Sequence, residues 1–428
     1  MKRPARADVR REALAGLTTF FTMAYIVVVN PSVLSGSGTG MPFSGVMTAT
    51  VLLSFSMTLL MGLYADLPFA VAPGMGLNAF FAYSVVLGRG VPWPVALGAV
   101  FWAGVLFVAI SATPLRVRIA EAIPPDLRAA SAAGIGLFLA FIGLKNAGFI
   151  VADPATFVRL GALDRKVALS LGGGLLTVWM MRRRSPLAFL SGIFAVTGAA
   201  WIAGLIAAPT SFVSAPDFTS VFLKLDVRAA LAPALWSTAA VFLFTDLFDS
   251  ISTFVGVAHA TGLVDGQGQP RNLKEGLLVD AFATLGAGLI GTSSGTAYIE
   301  SVSGIEMGGR TGLTSVFTAL CFLPCSFLGP LAAMVPPYAT APTLVIVGAL
   351  MFRSIKHIGF ERLEDALPAF LTVALIPLTF SITQGLLWGF VSHAALYVMA
   401  GRRRELPPSR VAVALVAIVL LVAEHAHW

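Results

Sequence analysis

Long apolar runs dominate the chain, separated by short stretches rich in polar residues, proline or glycine. A helix that crosses a bilayer needs about 20 consecutive, mainly apolar residues. By that measure the pattern predicts an all-α polytopic membrane protein with about fourteen spans, near 13–33, 43–64, 67–86, 92–112, 127–148, 166–181, 186–207, 231–256, 276–290, 291–306, 312–334, 341–356, 366–382 and 384–400. A further apolar run at 411–423 either spans thinly or lies in the interface. The stretches 149–165 and 208–228 read as longer outer loops, and no soluble domain fits anywhere.

Two runs are interrupted. The first reads Ala72-Pro73-Gly74-Met75-Gly76-Leu77-Asn78-Ala79-Phe80 and the second Gly291-Thr292-Ser293-Ser294-Gly295-Thr296-Ala297-Tyr298-Ile299-Glu300. Proline removes a backbone donor and glycine weakens continuous helix, so each segment should be extended before a half-helix resumes, in the first case near Leu77. Unwound backbone at membrane depth must face protein or a wet cavity. The breaks stand about half a chain apart, in the third and tenth spans, as in transporters built from repeats whose broken helices meet at the midplane. Seven spans per half is an odd number, so the second half should enter the membrane upside down, giving a 7+7 inverted repeat.

Composition agrees with this pattern. Of 428 residues 57% are hydrophobic and 11% charged, and the mean hydropathy is +0.87; a soluble domain carries about 25% charged residues. The net charge of +7 comes from short basic clusters at Met1–Arg11, Arg116–Arg128, Arg182–Arg184, Arg353–Arg362 and Arg402–Arg410. All fall on one side when the N-terminus starts in the cytoplasm, as the positive-inside rule requires. Nucleic-acid binding needs a continuous basic surface and is excluded. The first apolar run ends at Asn30-Pro31 rather than at a small-residue cleavage site, so it is expected to stay as a membrane helix. Cys321 and Cys325, four apart in an apolar run, read as packing residues.

The remaining acids carry the candidate chemistry. A carboxylate inside a span is costly and marks a functional site by default. Asp246, Asp249 and Thr253 share one face of the eighth span. Two carboxylates on one buried face repel, which lets a carrier load and release a proton. Glu300 closes the second break, after the hydroxyls of Thr292, Ser293, Ser294 and Thr296 and the ring of Tyr298. Asn78 offers a donor and an acceptor in the first. Asp280 reads as a structural bond to a neighbouring helix. The histidines at 259, 357, 425 and 427 show no metal-ligand spacing, and Gly308 to Gly312 lacks the lysine of a phosphate loop. Neither a metal site nor an enzyme is expected, since no nucleophile and base are paired in the spans.

Several motifs resemble one family closely. Gly16 to Tyr25 (GLTTFFTMAY) with Val29-Asn30-Pro31, Ala72 to Tyr83 (APGMGLNAFFAY), Leu247 to Ser250 (LFDS), and Gly291 to Thr311, which contains YIES and ends in GGRT, are similar to the AzgA-like purine permeases of the second nucleobase/cation symporter family. The resemblance covers nearly the whole chain in order. It implies a uracil-permease-like fold in which the third and tenth spans are short strands plus half-helices, with a core domain from 1–112 and 211–334 and a gate domain from 113–210 and 335–428. It also implies import of hypoxanthine, guanine or adenine across the cytoplasmic membrane by proton symport, without a cofactor, and leaves a homodimer open. Asn78, Asp249 and Glu300 match the family's polar substrate positions, and Tyr298 lies beside them. Thr253 stands where uracil permeases carry a histidine, which moves the proton role to Asp249, Asp246 or Glu300. Ser250 and Ser252 depart from the family's pattern after LFD. Phe80, Phe248 and Tyr298 are candidate stacking partners for a flat base, Tyr298 foremost. The rival expectations are another nucleobase, xanthine or uracil, and a small anion, against which the acids at 249 and 300 argue.

Overall fold

The computed structural model describes residues 6–113, 123–209, 211–265 and 269–425. The part of the Arg116–Arg128 cluster before Ile123 and the histidine at 427 lie outside them. Among the described residues six helical stretches are long and apolar enough to cross a membrane: Val9–Leu34, Phe43–Leu63, Trp93–Ala112, Pro125–Ala147, Pro233–Thr261 and Pro337–His357. Shorter apolar helices accompany them. The chain is a mostly helical, multi-pass membrane protein.

The first half runs through α1 (Arg6–Met23), α2 (Ile26–Leu34), α3 (Phe43–Leu63), strand β1 (Val71–Pro73), α4 (Met75–Ala79), α5 (Trp93–Ala112), α6 (Pro125–Ala147), β2 (Ile150–Asp153), β3 (Phe157–Leu160), α7 (Arg165–Arg182) and α8 (Ala188–Ile202). The second half follows with α9 (Trp236–Thr261), α10 (Leu273–Ile290), β4 (Gly295–Ala297), α11 (Ser301–Glu306), α12 (Gly312–Phe322), α13 (Gly329–Ala333), α14 (Pro337–Phe352), α15 (Leu363–Leu378), α16 (Ile382–Met399) and α17 (Pro408–His425).

Several elements differ from the sequence expectation. The short strands implied at the two breaks are present, but they are not all: among the described residues there are two small two-stranded sheets. One is an exposed hairpin of β2 and β3 inside the loop at 149–165, where Asp153 Oδ1 accepts from the N–H groups of Ala155 and Thr156 and so builds the turn. The run at 13–33 is two helices, because the N–H groups of Val27 and Val28 bond three residues back and tighten the chain around Tyr25. The run at 312–334 is also interrupted: α12 passes through a short 3-10 stretch at Leu323–Phe327, which contains Pro324, before α13. In the first break the helix resumes at Met75, two residues earlier than expected, and continues as a π-helix over Phe80–Gly88.

The two breaks meet. β1 pairs antiparallel with β4, with Val71 opposite Ala297, Ala72 opposite Thr296 and Pro73 opposite Gly295. Each strand runs on into a short helix, α4 or α11. Pro73 ends its strand, and the next N–H, that of Gly74, donates to Ser294 O at 2.9 Å. Gly291 opens the second break at φ +99, where a Cβ would also fall 2.6 Å from Val221.

Around this crossing the helices sort into two packed groups. α1, α2, α3, α5, α9, α10 and α12 surround the strands, whereas α6, α7, α8, α14, α15 and α16 pack on one another. In the second group α6 and α14 touch backbone to backbone at Gly136 and Gly348; a Cβ on Gly136 would lie 2.5 Å from Gly348 O. Small residues permit such approach where lipid supplies no hydrophobic drive between helices.

Candidate functional site

The acids expected in the eighth span lie on α9, and the structure gives them different surroundings. Asp246 is fully buried. Its Oδ2 accepts from Ser294 Oγ at 2.6 Å and from Thr284 Oγ1. Thr284 Oγ1 in turn lies 2.9 Å from Ser294 Oγ and 3.2 Å from Gly295 O. Asp280 on α10 is equally buried, and its Oδ2 accepts from Ser250 Oγ, which lies 3.1 Å from Thr296 Oγ1. Thus Asp280 makes the interhelical bond expected of it. Together the two acids tie β4 to the two helices beside it.

Asp249, one turn from Asp246, is only half-buried, and among the described residues no hydrogen bond reaches its carboxylate. Glu300 is half-buried too, at the start of α11, and accepts from Tyr25 OH at 2.8 Å. The two carboxylates act on each other electrostatically, and both act on Tyr298. No ion pair among the described residues neutralises either one. An accessible pair of acceptors inside a membrane protein suits a ligand that brings N–H donors.

Tyr298 is fixed across the strand pair: its OH donates to Pro73 O at 2.5 Å and its N–H to Ala70 O at 2.9 Å. Asn78 is fully buried, and its Oδ1 accepts from Ser293 Oγ, so it links the two breaks. Thr253 lies buried one turn beyond Asp249. Phe80 is buried with its edge toward Phe242, centroids 5.0 Å apart, and so packs the interior. Phe248 lies nearly parallel to Phe244, with the Arg128 guanidinium 5.9 Å above its ring. A small cleft lined by Leu127, Arg128, Phe244, Phe248, Leu386 and Phe390 opens there, between the two helix groups.

Two polar side chains in the quoted motifs were given no role from sequence. Tyr25 holds Glu300, and Asn30, fully buried, donates to Thr50 Oγ1 at 2.7 Å and Thr292 Oγ1 at 2.9 Å. Their signal was present, since a phenol and an amide inside an apolar run need partners. His393 is buried in α16, away from the strands, with Nε2 3.8 Å from Asp365 Oδ1. Among the described residues no three His, Cys, Asp or Glu side chains converge on a metal position.

A family model described as the Permease family, of xanthine/uracil type, matches residues 10–387. The adenine permease AdeP of Escherichia coli K12 is 41% identical over 419 residues, covering 98% of this chain and 94% of that one. The guanine/hypoxanthine permease PbuO of Bacillus subtilis 168 is 39% identical over 425 residues, covering 97% and 98%. Among solved structures, the transmembrane domain of the cyanobacterial bicarbonate transporter BicA superposes with a TM-score of 0.67, over 90% of this chain and 98% of that chain, at 17% identity. That likeness concerns the fold alone. By motif, length and family match, the chain belongs to the xanthine/uracil-type permease family.

Proposed function

We propose that the protein imports purine nucleobases across the cytoplasmic membrane by proton symport, and that Asp249 and Glu300 bracket the base. The observation that carries this reading is the pair itself: two half-buried carboxylates with no cationic partner among the described residues, beside a strand crossing at which both interrupted segments meet. A purine presents ring N–H donors to carboxylates and a flat face to an aromatic ring. Tyr298 supplies that ring, Asn78 and Thr253 complete the polar surroundings, and Phe80 backs them. Asp249, Glu300 or Asp246 takes up the coupling proton. The names of the relatives, adenine permease and guanine/hypoxanthine permease, favour purines over xanthine or uracil. Two acids facing the ligand disfavour an anion.

In this reading residues 1–112 and 211–334 form the core domain and residues 113–210 and 335–428 the gate, in fourteen spans arranged as a 7+7 inverted repeat with the N-terminus inside. The sorting of helices into two packed groups supports it. The core moves against the gate to open the site to either side, as repeat transporters do. A homodimer is compatible with this arrangement. The test is uptake of labelled hypoxanthine, guanine, adenine, xanthine and uracil by cells expressing the protein, with and without an uncoupler. Saturable purine uptake that the uncoupler abolishes is expected; no uptake of any base by correctly inserted protein overturns the reading.

A further inference from the structure

We propose that Asp246 and Asp280 form a second carboxyl pair, one that binds the coupling proton apart from the Asp249 and Glu300 carboxylates that face the purine; this deepens the purine-symport reading and rests on it. Both side chains are fully buried, one on α9 and one on α10, and they act on each other electrostatically. Among the described residues no Lys, Arg or His pairs with either. Two ionised carboxylates enclosed together without a cation are strongly disfavoured, so a pair of this kind keeps at least one proton.

The partners suit a site that changes protonation state. Asp246 Oδ2 and Asp280 Oδ2 accept from the hydroxyls of Ser294, Thr284 and Ser250, with Thr296 and the Ala297 N–H also bearing on the pair, whereas Oδ1 of each lies buried without a hydrogen bond. A hydroxyl can donate to a carboxylate or accept from a carboxylic acid, so the same contacts serve both states. An arginine or lysine partner could serve only the charged one. The other titratable group bearing on the pair is Asp249, on α9 itself, while β4 presents hydroxyls and the Ala297 N–H.

The hydroxyls also give the proton a route to the substrate. Ser294 and Thr296 flank Gly295 in β4 and its approach, and Thr284 lies 3.2 Å from Gly295 O. When Asp246 and Asp280 are charged, Ser294, Thr284 and Ser250 must point their hydrogens at them. Protonation reverses one of these contacts, since the acid then donates, and weakens those that remain to a now neutral acceptor, which loosens the grip on the strand that leads to Tyr298 and Glu300. A proton bound here therefore biases the position of the purine-facing residues without touching the purine.

The experiment uses the full-length protein in lipid vesicles, with labelled hypoxanthine outside and a pH-sensitive dye inside. One proton carried per purine should give about tenfold accumulation per unit of imposed pH difference. Asp280→Asn, fixed in the neutral state, is expected to keep exchange of internal for external hypoxanthine while accumulation falls to about one, with no purine-linked proton entry. Asp280→Glu should restore both. Ser250→Ala, which removes the hydroxyl that donates to Asp280 and meets Thr296, should displace the pH of half-maximal accumulation by about one unit. It decides the matter should the Asn variant not assemble. The proposal is overturned by any of three results: Asp280→Asn accumulating purine with proton entry, a folded Asp280→Asn losing exchange as well, or an unmoved pH profile in Ser250→Ala. Accumulation driven by a sodium gradient instead also overturns it. Unmodified protein that transports no purine would refute the function itself, a separable outcome.

Discussion

Glu300 is held by a phenol instead of a cation, and that choice leaves its charge available to a ligand. The Tyr25 hydroxyl donates at 2.8 Å to one carboxylate oxygen, while the Tyr25 ring lies 4.7 Å from that of Phe189. Removing the hydroxyl leaves the ring packing in place and frees Glu300 to turn. A hydrogen bond to a charged acceptor contributes about 1.5–3 kcal/mol. Tyr25→Phe should thus lower hypoxanthine uptake efficiency by about tenfold or more, with thermal unfolding little changed, as read from a concentration series alongside a melting curve. Glu300→Gln and Asp249→Asn should go further and abolish uptake while the protein stays folded and inserted, because each turns an acceptor-only group into one that also donates. Normal transport by both variants would place the substrate elsewhere. Asp249 and Glu300 could be chosen from the sequence because a carboxylate in an apolar run is conspicuous. The different surroundings of Asp246 and Asp249 could not: both lie on one helical face, and only the arrival of Ser294 and Thr284 from distant segments encloses one while the other stays half-buried.

At the scale of elements, glycine and proline marked the breaks at Pro73–Gly74 and Gly291–Gly295, because each forbids or weakens helix locally. The strands at those breaks follow from the resemblance and not from the residue pattern. Three residues carry no recognisable alternation, and their partners lie more than half a chain away, so β1 and β4 exist only through their pairing. The hairpin of β2 and β3 was hidden for a related reason, since a polar loop and a short exposed ribbon look alike in sequence. The interruption at Tyr25 leaves hydropathy unchanged and is also invisible there. Close approach has a testable consequence at Gly76, where a Cβ would fall 2.5 Å from Ile135 Cγ2 on α6. Gly76→Ala should reduce transport several-fold, and Ile135→Ala, which removes the opposing methyl, should restore much of it, a coupling of about 0.5–3 kcal/mol in the double-mutant cycle. Simple addition of the two effects would count against a steric cause. The loop that carries Asp217 offers a second test. Asp217 accepts from Ser220 Oγ at 2.6 Å, from Ser44 Oγ at 2.9 Å and from the N–H groups of Thr219 and Ser220 at 3.0 and 3.1 Å. These donors, the Ser220 hydroxyl foremost, hold its carboxyl well below the usual range. A depressed value stabilises the folded state above the ordinary carboxylate value near 4, and that contribution fades as pH falls from there toward the depressed folded value. Asp217→Asn should therefore lower the melting temperature at pH 7, by an amount corresponding to about 1 kcal/mol, and the gap to the unmodified protein should close in acid.

For the whole molecule, the arrangement of two helix groups around one strand crossing makes relative motion the natural way to expose the site. The interior of each group is close-packed through glycine contacts such as that of Gly136 with Gly348, which resist gradual deformation. Between the groups, apart from Gly76 on Ile135 and the Ser84 hydroxyl on Phe380 O, the contacts include looser ones: the Arg128 guanidinium over Phe248, the Lys145 ammonium 5.5 Å from the centre of the Tyr83 ring, and the rings of Tyr25 and Phe189. Such contacts can separate and re-form without repacking a core, so the two groups are suited to move as rigid bodies. The pair Tyr83 and Lys145 offers a place to stop that motion, because neither residue belongs to the proposed substrate site. With Cys321 and Cys325 replaced by alanine, a Tyr83→Cys, Lys145→Cys protein should transport normally until bridged by a short bifunctional thiol reagent. Bridging should cut net hypoxanthine uptake to below about a tenth, and reductive release should restore it, whereas the same reagent on either single-cysteine protein should have little effect. The bridge leaves the strand crossing untouched, so purine binding measured in detergent should survive it. Uptake that continues through a complete bridge would mean that the site opens by movement within one group, and the rigid-body account would then have to be abandoned.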